Sequence, residues 1–64
     1  MKRTVAKIAY NGTYRIVVDD NNNYNPYAIY HEYYAGQNRR KIKIASYGDL
    51  VSCMYHITEE IIKH

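Results

Sequence analysis

The chain has 64 residues, with nine lysines and arginines against six aspartates and glutamates, nine tyrosines, no phenylalanine and no tryptophan. That length allows one small domain, residues 1–64, with a small core and marginal stability. A single cysteine, Cys53, excludes an internal disulfide, and His31, His56 and His64 lack zinc-ligand spacing, so no metal or other cofactor is expected. No apolar run approaches the roughly 18 residues of a membrane span and no signal peptide opens the chain, which predicts a cytoplasmic protein with no membrane contact.

In chain order, Thr4 to Ala9 and Thr13 to Val18 are β-rich runs on either side of Asn11-Gly12, a strong hairpin signal. A three-residue loop, Tyr10-Asn11-Gly12, with Gly12 in a left-handed conformation, pairs Ile8 with Tyr14 and Ala6 with Ile16. Ala6, Ile8, Tyr14, Ile16 and Val18 then share one face. The same register sets Lys7 opposite Arg15 on the other face, where like charges repel. Asp19 to Pro26 is polar and rich in turn formers, and reads as a loop.

The segment Tyr27 to Tyr34 admits two readings. Asn25-Pro26 suits the start of a short helix, while a composition of four tyrosines and an isoleucine favours a strand. Strand is preferred, because Arg39 to Ala45 is a strand by its alternation and the two pair well. A tip at Gln37-Asn38 sets Glu32 against Lys43 and Tyr34 against Lys41, with Ile29, His31, Tyr33, Ile42 and Ile44 on the core face. The final segment is an amphipathic helix. Ser46 and Asp49 read as a capping box, with Ala45 and Leu50 as a hydrophobic staple. Leu50, Met54, Ile57 and Ile61, flanked by Val51, Tyr55 and Ile62, form its inward stripe. The expected fold is α+β: an antiparallel β-β-β-β sheet with one C-terminal helix packed on one face.

No catalytic constellation emerges. Cys53 and His56 are three apart on the helix, but Cys53 sits in an apolar stretch and no acid or orienting group accompanies the pair. The acidic pairs Asp19-Asp20 and Glu59-Glu60 read as solvated charge, and no phosphate loop or nucleophile elbow is present. An enzyme is not expected. His31 reads as a satisfied histidine near Ile44 on the core face, with a pH switch at an interface as its alternative.

The uncovered sheet face is the most suggestive surface. It is expected to carry Lys7, Arg15, Tyr30, Tyr34, Lys41 and Lys43, with Arg39 near the tip and Glu32 between them. Cations attract phosphates and tyrosine rings stack on bases, so this face suits nucleic acid. From Tyr27 to Ile62, about half of the chain, the order of strand, tip, basic strand and capped helix resembles the arm-type DNA-binding domains of phage tyrosine recombinases. The resemblance is one of element order, without a shared motif, and implies DNA contacts from Arg39, Arg40, Lys41 and Lys43.

The other reading is a protein-binding module, and it is the preferred one. Tyr-rich surfaces suit protein interfaces, and a second copy would add the stability that a small core lacks. Ile, Lys, Asn and Tyr make up 28 of 64 residues. Their codons are rich in A and T, which points to a low-GC bacterium or its phages and mobile elements. Of the tyrosines, Tyr14, Tyr33 and Tyr55 are assigned to the core in place of Phe and Trp. Tyr30 and Tyr34 remain for binding.

Overall fold

The computed structural model describes residues 1–63; His64 lies outside the described residues. Four strands, β1 (Lys2–Ala9), β2 (Thr13–Asp19), β3 (Tyr27–Ala35) and β4 (Asn38–Tyr47), precede one helix, α1 (Leu50–Lys63). The strands form an antiparallel meander in the order β1-β2-β3-β4. The fold is α+β, with the helix on one face of the sheet.

The first hairpin has the anticipated register, with Ile8 opposite Tyr14, Ala6 opposite Ile16 and Lys7 opposite Arg15. Asn11 (φ 48°) and Gly12 (φ 102°) supply the left-handed backbone of its tip. A Cβ at Gly12 would collide with the Glu32 carbonyl oxygen, so the hairpin tip is pressed against β3 as well as turned by a glycine. β1 begins at Lys2, two residues earlier than the composition suggests, and a bulge between Thr4 and Ala6 keeps both of its ends in register. The polar loop is braced by its own side chains. Asp19 Oδ1 accepts from the Asn21 amide, and Asn22 Oδ1 accepts from the amides of Tyr24 and Asn25, each at 3.0 Å.

Tyr27–Ala35 is a strand, as preferred, but its partners in β4 differ from expectation. Glu32 faces Lys41 and Tyr34 faces Arg39, because the turn is Gly36-Gln37 instead of Gln37-Asn38. Gly36 has φ 67° while Gln37 does not enter the positive-φ region, the pattern of a type II′ turn with glycine first. Moving the tip by one residue shifts the pairing by two, so every side chain keeps its face. A second irregularity at Ile29/Tyr30 sets Ala45 opposite Ile29. Ile44 still packs against the core, but Ile42 lies beyond the reach of the helix and is 49% exposed.

The helix differs more. Ser46 belongs to β4, opposite Ala28, so it is not the cap. Asp49 is: its Oδ1 accepts from the Ser52 amide at 2.7 Å, satisfying one of the open N–H groups of the first turn. This bond lowers the Asp49 pKa. The buried core consists of Tyr14, Ile16, Val18, Ile29, Cys53 and Ile57, with Ile8, Tyr10, Tyr27, Tyr47 and Ile61 half-buried around it. The helix therefore turns Cys53, Ile57 and Ile61 inward. Leu50, Val51, Met54, Tyr55 and Ile62, read as part of the inward stripe, are exposed instead. α1 lies over β2, β3 and β4, and β1 sits at the sheet edge, with Ala6 and Ile8 packed against the core.

Candidate functional site: the open sheet face

Side chains alternate across a strand, so the pairing fixes which residues face away from α1. Lys7 and Arg15 pair across β1 and β2, Arg15 and Tyr30 across β2 and β3, and Tyr30 and Lys43, Glu32 and Lys41, and Tyr34 and Arg39 across β3 and β4. All eight residues placed on this face from the sequence thus share it. Lys2, opposite Asp19, joins them. It was missed because the strand was started at Thr4. Arg40 does not join them: it pairs with Tyr33 on the helix side, against the set implied by the recombinase-like element order.

The repulsion between Lys7 and Arg15 is relieved from the next strand. Arg15 Nη2 donates to Glu32 Oε1 at 3.0 Å, and its Nη1 donates to Thr4 Oγ1 at 3.4 Å. Arg39 Nη2 reaches the same carboxylate oxygen at 3.3 Å. Glu32 is enclosed by these neighbours and buried. Burial alone would raise its pKa, but Arg15, Arg39 and Lys41 together outweigh burial and lower it. Glu32 is therefore held anionic and pairs with two arginines at once.

The lysines are placed differently. Lys41 Nζ sits 4.7 Å from the centre of the Tyr30 ring, a cation–π contact. Lys7, Lys41 and Lys43 are exposed. The sheet surface between Lys2, Thr4, Arg15, Tyr30 and Lys41 forms a shallow groove of about 250 Å³. Tyr30 is half-buried beneath Lys41, so on this face the tyrosine ring open to a stacking partner is Tyr34, which is 72% exposed and lies opposite Arg39.

The histidines and the thiol are occupied elsewhere. His31 Nε2–H donates to the Asn11 carbonyl at 2.7 Å, and its ring stacks on Tyr14 at 4.3 Å between centres. It lies opposite Ile42, one layer from the expected Ile44, and clamps the hairpin tip. His56 Nδ1 meets the Tyr47 hydroxyl at 2.7 Å and its Nε2 lies 3.7 Å from Glu60 Oε1, a chain that ties α1 to β4. The Cys53 thiol is buried and donates to the Tyr27 carbonyl at 3.9 Å. Burial, aided by Asp49, raises its pKa. Cys53 and His56 thus point to different partners. Among the described residues, no helix is long and apolar enough to cross a membrane.

Comparison with protein-family models, with curated proteins and with solved structures finds no match to this chain.

Proposed function

We propose that this chain is a non-enzymatic binding module that takes nucleic acid on its open sheet face, through the phosphate backbone. The observation carrying this reading is the separation of charge across the fold. Lys2, Lys7, Arg15, Arg39, Lys41 and Lys43 share one face with Glu32 and, at its loop end, Asp19, while on the helix side Arg3, Arg40 and Lys63 are balanced by Asp49, Glu59 and Glu60. The net charge of +3 is thus gathered on this face, where six cations stand against two anions. Glu32 does not repel a polyanion, because two guanidinium groups cover it. The lysines act as mobile point charges toward phosphates, and Tyr34 offers a ring for an unpaired base. Recognition of this kind is largely independent of base sequence, since phosphate contacts position a protein without reading bases.

The test is binding to a short mixed-sequence duplex, followed by anisotropy over a salt series. Log affinity should fall linearly with log salt, with a slope of about −0.9 per phosphate contacted. Alanine at Lys7, Lys41 or Lys43 should reduce the slope by about one each, and the double change Lys41→Glu, Lys43→Glu should abolish binding. Absence of binding to either DNA or RNA at low salt overturns the reading.

A further inference from the structure

The helix carries two apolar stripes, and the sheet uses one of them. Cys53, Ile57 and Ile61 meet the sheet. Val51, Met54, Tyr55, Thr58 and Ile62 follow the spacing i, i+3, i+4, i+7, i+11, which places them side by side on a second face. This face is open: Val51 and Ile62 are each 73% exposed, Tyr55 69% and Met54 42%. It has two polar groups, the Tyr55 hydroxyl and the Thr58 hydroxyl, and the second already donates to the Met54 carbonyl at 2.9 Å. Burying this stripe asks for one acceptor, for the Tyr55 hydroxyl.

The geometry points to a second copy of this chain as the occupant, with two α1 helices packed antiparallel about a two-fold axis. The stripe is self-complementary. Val51 and Ile62 stand equally far from the helix midpoint, so an antiparallel crossing sets Val51 of each copy on Ile62 of the other and Tyr55 on Thr58. The same crossing opposes the two helix dipoles. Such an isologous contact uses one patch twice. The exposed parts of the four large side chains amount to about 500 Å² per copy, or about 1,000 Å² for the pair, the lower bound for a specific interface. The dimer is therefore expected to dissociate in the micromolar range. It leaves both basic sheet faces pointing outward.

Sedimentation across micromolar concentrations tests this. The mass should rise from 7.6 kDa toward twice that value. Val51→Glu with Ile62→Glu should hold the chain monomeric at every concentration. Both side chains are mostly solvent-exposed, so circular dichroism of the variant should match the parent. Tyr55→Lys should shift the midpoint at least about tenfold upward, giving a second measure if the double variant folds poorly. A monomer throughout for the parent, or a dimer that survives these changes, overturns the inference, as does a monomer that pairs only with a different protein. Nucleic-acid binding is read separately: Lys41→Glu, Lys43→Glu should leave the dimer intact, and the helix variants should keep the affinity of a single sheet face.

Discussion

Glu32 shows how one side chain sets the character of a surface. Its carboxylate neutralises Arg15 and Arg39 and permits Lys7 to stand opposite Arg15. Because its pKa in the fold is lowered below the ordinary 4.5, it contributes stability above that pH, and the contribution is lost as pH falls through the lowered value. Glu32→Gln is thus expected to be less stable than the parent at neutral pH, with the gap closing on acidification below about 4.5, as thermal melts over a pH series would show. The same change frees two guanidinium groups, so affinity for a duplex at low salt should rise. Side-chain identity and alternation made the membership of this face legible in the sequence. The pairing of both arginines with one oxygen was not, because it depends on which strand lies next to which.

At the scale of elements, the regular parts were readable and the joints were not. Period-two alternation identified β2 and β4, and Asn11-Gly12 located the first turn. The second turn was misplaced by one residue because Gln37-Asn38 was favoured over Gly36, although only the glycine adopts a positive φ there. The helix start was misjudged for a related reason. Ser46 and Asp49 have the spacing of a capping box, but β4 continues through Tyr47, and Asp49 alone remains to cap. Asp49→Ala should lower stability by about 1 kcal/mol, a fall of roughly 4–8 °C in a melt, whereas Asp49→Asn should nearly preserve it. Ser46→Ala should leave the helix start unaffected. The apolar spread of α1, from Leu50 around to Ile62, was wide enough to signal two faces, yet it was assigned entirely to the core. Only the position of the sheet decides which stripe is inside, and Cys53 and Ile57 win that place.

The whole molecule is a thin plate, 37 × 25 × 15 Å, with positive charge on one broad side and a helix on the other. Its class was legible from order and periodicity alone, since four strands and one amphipathic helix have one compact arrangement that buries both apolar surfaces. Its uneven support was not. α1 covers β2, β3 and β4, while β1 is held by its ladder to β2 and by the half-buried Ala6 and Ile8. Strand β1 is accordingly expected to open first. Amide hydrogen exchange should show its protection lost in a low-energy event, well below global unfolding, with β2 and β3 exchanging last. If β1 and β3 exchange together, the sheet opens as one unit instead. Opening β1 would carry Lys2 and Lys7 away from Arg15 and Tyr30, dividing the basic face between a part on β1 and a part on β2, β3 and β4. If a polyanion binds across both parts it should hold them together, and β1 exchange should then slow on its addition.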